Sequence, residues 1–278
     1  MSIVVQSNGK ILVGGNFSTY NGVAAPCIVR LNADGTRDAT FNQTGTGLGS
    51  GLVYAITLQS DGKIVAVGNI SSYNGTAYPG AIRLNADGTL DNTFVLTGTG
   101  FTDPNWNGRP RDVIVQSDGK ILVAGAFIYY NGDSSAGYLV RLNADGSRDG
   151  TFTSAVSIMS YGGIYDIALQ SDGKILAGGN FSSPTKYLVR LNTNGTRDTS
   201  FASTGNGLNS IVNSLAIQPD GKVIAMGSFT NYNWIATNYL ARFNTDGALD
   251  ATFAQGDSGL NGDVFKLVLQ PDGKILEV

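Results

Sequence analysis

The chain has 278 residues, 18 basic against 21 acidic side chains and a net charge of −3, which excludes the basic footprint of a nucleic-acid binder. With no His and one Cys it lacks the means for Ser-His or Cys-His nucleophile pairs, for His or cysteine-cluster metal sites and for an intrachain disulfide. Its 38 Gly and many Ser, Thr and Asn favour turns over helix, and no run approaches the ~18 to 20 apolar residues of a membrane span.

Met1 leads directly into SIVVQSNGK, without a basic then apolar leader, so no signal peptide is expected. The first anchor, Gln6 to Lys10, returns as QSDGK at Gln59, Gln116 and Gln170 and as QPDGK at Gln218 and Gln270. That period of roughly 50 residues belongs to propellers and other repeat arrays. In Gln218-Pro219-Asp220-Gly221 the Pro suits the fixed φ of a type I turn and the Gly the positive φ that follows, so each anchor predicts a hairpin with a bulge. Before it come YAITL, RDVIV, YDIAL and NSLAI, and after it KIVAVGNI, KILVAGAF, KILAGGNF and KVIAMGSF. The latter are too apolar for one wet face and predict strands buried on both.

A second anchor alternates with the first: RLNADGTRDATF from Arg30, then copies from Arg83, Arg141, Arg190 and Arg242. Its Asn-x-Asp-Gly also predicts a tight hairpin, closing a third strand such as YLVRLN and opening a short, polar fourth such as TRDATF at the outer edge. The prediction is an all-β chain, one β-propeller domain over 1–278 with four-stranded antiparallel blades starting near residues 3, 53, 110, 164 and 212. A half repeat follows over 263–278. The count leaves three arrangements open: five blades closing with a spare hairpin, six ring positions with one incomplete, or a cut from a longer array. A solenoid is the rival architecture. Gly14-Gly15 and Gly178-Gly179 predict close approach of neighbouring blades, and Cys27, in the apolar run CIVRL, predicts a small core residue.

The pattern QPDGKI(L/V)…G.F…YNG…RLN.DGT.D.TF resembles the bacterial delta-sixty tandem repeat over essentially the whole chain. The resemblance implies a β-propeller from a large surface or secreted protein, or from a phage particle, and it supplies no catalytic residues. Repeat four departs from it, losing Tyr-Asn-Gly and shortening to FSSPTKYLVRLN.

Most charges recur once per repeat, which marks them as blade construction. Asn32-x-Asp34-Gly35-x-x-Asp38 is similar to oxygen-rich calcium loops, but Arg30 stands where such loops place a carboxylate and repeat four has Asn194 for the central acid. A hydrogen-bonded turn with Arg30 paired to Asp38 is therefore favoured, and no cofactor is expected. Catalysis is not expected either, the alternative being a glycoside-active enzyme using the unlocked acids Asp103, Asp112, Asp166 and Asp263 around a channel. The remaining repeated polar feature is the loop after the second strand: Tyr20-Asn21, Tyr73-Asn74, Tyr130-Asn131 and Tyr232-Asn233. With Trp106 and Trp234, these residues are the candidate binding set, suited to stacking on a sugar face or to a polar protein interface; the alternative is an Asn-Gly hairpin turn with its Tyr packed on its own blade, and a structural role for Trp106. The expectation is an interaction or structural module that binds protein or glycan at a bacterial surface or in a virion, as a multivalent adhesin or in an oligomer.

Overall fold

A computed structural model describes residues 1–42, 45–49, 51–94, 96, 98–103, 108–156, 162–201, 207–253 and 260–277. Among these the only helical segment is one 3-10 turn, Ser134–Ala136, and the rest is strand, turn and loop. Among the described residues no helix is long and apolar enough to cross a membrane. The residues group into two compact units, Met1–Gly150 and Thr151–Val278.

In the first unit three antiparallel sheets follow one another along the chain. Each has an inner, a second and a third strand: Ser2–Val5, Ile11–Gly14 and Ile28–Leu31; Gly51–Leu58, Ile64–Ile70 and Ala81–Leu84; Arg109–Val115, Ile121–Ala126 and Leu139–Leu142. The second unit repeats the pattern in Gly163–Leu169, Ile175–Asn180 and Leu188–Leu191, then in Val212–Ile217, Val223–Gly227 and Leu240–Phe243. It adds a two-stranded sheet, Leu267–Leu269 with Ile275–Glu277. The Gly of both anchors, from Gly9 to Gly273, all take φ between 80° and 90°, the left-handed region that the hairpin bulge requires.

The second strands carry the core. Ile64 to Val67, Ile121 to Ala124 and Val223 to Met226 are fully excluded from solvent, so their continuous apolar runs report burial on both faces. Neighbouring sheets stack through them: Leu12, Ile28 and Phe41 of the first repeat join Val53, Ile56, Ile64 and Ile82 of the second in one cluster. Leu176, Leu188 and Phe201 join Val212, Leu215 and Val223 in the same way. In the C-terminal hairpin Val264 and Leu267 are buried against Ile224 and Met226, while Phe265, Val268 and Leu276 are exposed.

Two glycine roles separate at the predicted pairs. A methyl group on Gly14 would lie 2.6 Å from Val53 Cγ1, and one on Gly178 2.5 Å from Val212 Cγ1, so these positions set the approach of the next sheet. Gly179 instead faces its own inner strand, where a methyl would meet Gly163 O at 2.2 Å, opposite the register shift between Ile164 and Asp166. Gly68 and Gly125 repeat this arrangement.

The expected four-stranded sheet is corrected to three. The outer segment makes a single bridge to the third strand, Leu31 with Arg37 in the first repeat and its equivalents in the other four. The cause is Asp38. Its amide donates to Arg30 O, and its Oδ1 then accepts from the Thr40 amide (2.9 Å) and hydroxyl (2.6 Å), turning the chain away from the sheet edge.

Candidate functional site

The recurrent charges form one construction repeated along the chain. Asp38 Oδ2 accepts from Arg30 Nε and from Lys10 Nζ, each at 2.6 Å. The guanidinium lies over the Phe41 ring, 4.8 Å from its centroid, and its Nη1 donates to Ala86 O in the outer hairpin of the next repeat. Arg83 does the same with Asp91, Phe94 and Ala144 O, and Arg190 with Asp198, Phe201 and Thr245 O. Burial opposes ionisation of Asp38, but Lys10, the Thr40 hydroxyl and amide and Arg30 outweigh it and hold the carboxyl well below the usual range. Asp34 Oδ1 accepts from the Thr36 amide (2.9 Å) and hydroxyl (2.7 Å) as an Asx turn, and Asn194 makes the same pair of bonds to Thr196.

The unlocked acids are placed one by one. Asp166 is buried: its Oδ2 accepts from Ser214 Oγ (2.8 Å) and the Leu215 amide (2.6 Å), and its Oδ1 pairs with Lys266 Nζ at 3.2 Å. Asp112 Oδ1 accepts from the Val113 amide, Asp103 borders a cavity beside Phe101 and Gly108, and Asp263 is exposed.

The Tyr-Asn-Gly loops are type I′ hairpins, with Asn21, Asn74 and Asn131 at φ of 48° to 52° and the following Gly near 80°. Their Tyr residues point inward. Tyr73, Tyr130 and Tyr232 are buried and Tyr20 is half-buried. Each phenol donates to the outer-hairpin Gly carbonyl of its own repeat: Gly35 O, Gly88 O and Gly146 O at 2.6 to 2.8 Å, and Gly247 O at 3.3 Å. Burial pushes the Tyr130 phenol up to about 12. The Asn residues clamp the preceding linker: the main-chain amide of Asn74 donates to Gly47 O, and its side-chain Oδ1 accepts from Gly47 N, both at 2.8 Å. Asn131 and Asn233 hold Gly100 and Gly207 in the same way. As folded, the phenols close their own repeats, Asn74, Asn131 and Asn233 clamp the linker from the repeat before, and the rings of Tyr73, Tyr130 and Tyr232 are covered, while Tyr20 is half-buried and Asn21 exposed. Trp106 lies outside the described residues.

Trp234 stands apart from this set. It occupies the Gly position of the type I′ turn at φ 70°, and it is 83% exposed. A left-handed conformation costs a non-Gly residue roughly 1–2 kcal/mol, and an exposed indole recovers none of that by burial. Beside it lies a groove of about 310 Å³ lined by Lys186, Tyr187, Gly207, Leu208, Asn209, Asn231 and Trp234. Lys186 and Tyr187 come from the shortened repeat-four loop, which has no Tyr-Asn-Gly hairpin. The fold therefore brings together the two places where the repeat pattern breaks, the missing hairpin of repeat four and the Trp-for-Gly exchange of repeat five. Sequence reasoning singles out Trp234 but misses Lys186, whose signal is the departure of repeat four itself.

These stacked, bulged three-stranded sheets, repeated along the chain and clamped through their linkers, are propeller-like repeats. A family profile described as a domain of unknown function (DUF5122) beta-propeller matches residues 6–41, 59–94, 116–152, 170–201 and 218–253, and the chain belongs to that family. The profile carries this description and not the delta-sixty name. No curated protein matches the chain in sequence. Among solved structures it is similar to the extracellular domain of a hybrid two-component system from B. thetaiotaomicron (TM-score 0.54, 11% identity), covering 99% of this chain and 31% of the other. It is also similar to a candidate gluconolactonase (TM-score 0.52, 13% identity, 99% and 83% covered) and to streptogramin B lyase (TM-score 0.52, 15% identity, 99% and 74% covered). At these identities the likeness is one of fold. It corrects one expectation, that a chain of this pattern is not an enzyme: solved proteins of this fold are named as a gluconolactonase and a streptogramin B lyase.

Proposed function

We propose that the chain is a saccharide-binding β-propeller whose ligand site is the Trp234 groove. One observation carries the reading: a solvent-exposed Trp held in a strained conformation at a position where three sister repeats have Gly. Strain of this kind persists where surrounding structure enforces it, and it concentrates at ligand sites. An exposed indole offers a flat apolar face to the C–H face of a pyranose, and Asn231 and Asn209 offer amide groups to its hydroxyls. The reading favours this one site of the candidate set, because the Tyr73, Tyr130 and Tyr232 rings are buried and Asn74, Asn131 and Asn233 are engaged in the linker clamps. The setting is a bacterial surface or a virion, as expected of the delta-sixty repeats that the sequence resembles, with a protein assembly partner in either case. Glycan-array binding of the intact protein, lost in Trp234→Gly while the fold is retained, is the expected result. A Trp234→Gly variant that keeps the wild-type array profile overturns the reading.

A further inference from the structure

We infer that the groove selects acidic saccharides, those whose pyranose carries a carboxylate, as in uronic or sialic acids. The inference rests on the saccharide reading above and adds charge to it. Lys186 is exposed on the groove wall, and no carboxylate among the described residues lies within ion-pair distance of it. That is unusual in this chain, where the anchor Lys10, Lys63, Lys120, Lys174 and Lys222 each pair with the buried Asp of their own repeat. The groove lining contains no acid, although the protein as a whole has a net charge of −3. A cationic ligand would meet Lys186 with nothing to offset it, and a neutral sugar would accept from its ammonium only through uncharged oxygens, the weaker kind of bond. A carboxylate on the ring stacked against Trp234 uses both.

Polar capacity in the groove fits the rest of a sugar. Asn209 Oδ1 is filled by the Thr230 and Asn231 amides at 2.9 and 3.1 Å, and its Nδ2 donates to Thr230 Oγ1 at 2.9 Å. That leaves the second Nδ2 hydrogen for a ligand oxygen. Those bonds also fix Asn209, so its remaining donor is oriented before the ligand arrives. Asn231 supplies an amide with both a donor and an acceptor, the combination that hydroxyls require. The volume of about 310 Å³ sits at the lower end of small-ligand cavities, the size of one terminal residue with an adjoining ring.

The test is an array of neutral, uronic and sialylated oligosaccharides, followed by titration of the best acidic binder and its methyl ester, which keeps the ring and removes the charge. The acidic glycan is expected to bind about tenfold or more tightly than its ester, with a preference that shrinks as salt rises from about 50 to ~500 mM. Lys186→Gln should level the two affinities while Trp234→Gly abolishes both. Equal binding of acid and ester, or binding of neutral glycans alone, overturns the acidic selectivity and leaves the saccharide site standing. Silence across the array, or capture of peptide ligands alone, overturns both. Thermal melts of the two variants keep the outcomes readable, because a melting point at or above that of wild type separates lost recognition from lost folding.

Discussion

At the scale of single residues, the chain uses one chemistry for building and another for exception. Trp234→Gly removes a left-handed non-Gly residue and should raise stability by roughly 1 kcal/mol while removing ligand binding. Paired thermal melts and binding assays check both signs together. Tyr73→Phe should cost about 1–3 kcal/mol, because it leaves the buried Gly88 carbonyl without its donor. Denaturant midpoints measure that cost. Tyr is an ambiguous signal in the sequence: its ring suits a binding surface and its hydroxyl suits a buried staple, and spacing alone does not say which way it points. The partner that decides, a Gly carbonyl 15 residues later, is a main-chain atom that every sequence possesses.

At the scale of the element, the hairpin turns and the apolar second strands were legible because Gly, Pro and Asn at fixed offsets have few backbone options. The outer strand was not. TRDATF alternates like a strand, but Asp38 spends its carboxylate on Thr40, Arg30 and Lys10 and bends the chain away. Arg83→Ala should show how much this construction holds. It leaves the buried Asp91 with Lys63 as its one cation beside the Thr93 amide and hydroxyl and empties the contact with Ala144 O, for an expected loss of about 1–3 kcal/mol, read from chemical denaturation. Gly125→Ala should be at least as disruptive as ordinary overpacking, about 1–3 kcal/mol, since its methyl would meet Arg109 O at 2.2 Å. Ala124→Gly, one residue earlier, serves as the comparison without a clash.

At the scale of the whole molecule, the same ion pairs give a collective dependence on pH. Asp38, Asp91, Asp198 and Asp250 all have carboxyls held below their ordinary value by cation and hydroxyl partners. A group depressed in the folded state contributes stability above its unfolded value, and that contribution disappears as pH falls through the folded one. Stability should therefore hold from neutral down to about pH 4, the ordinary Asp value, and then fall steeply. Circular dichroism melts between about pH 7 and pH 2 test this, and Asp91→Asn should flatten the slope. A flat acid limb in the wild type would show that the pairs do not stabilise the fold.

The guanidinium contacts reach from one repeat to the next over 56, 61 and 55 residues, always to the same carbonyl of the following outer hairpin. Because each link ends on an equivalent main-chain atom of the next unit, a neighbour's side chains can change without breaking it, whereas a shift of that hairpin leaves a buried cation short of its carbonyl. A single unit that has lost its hairpin or taken a Trp can thus depart from the pattern while its neighbours keep the frame.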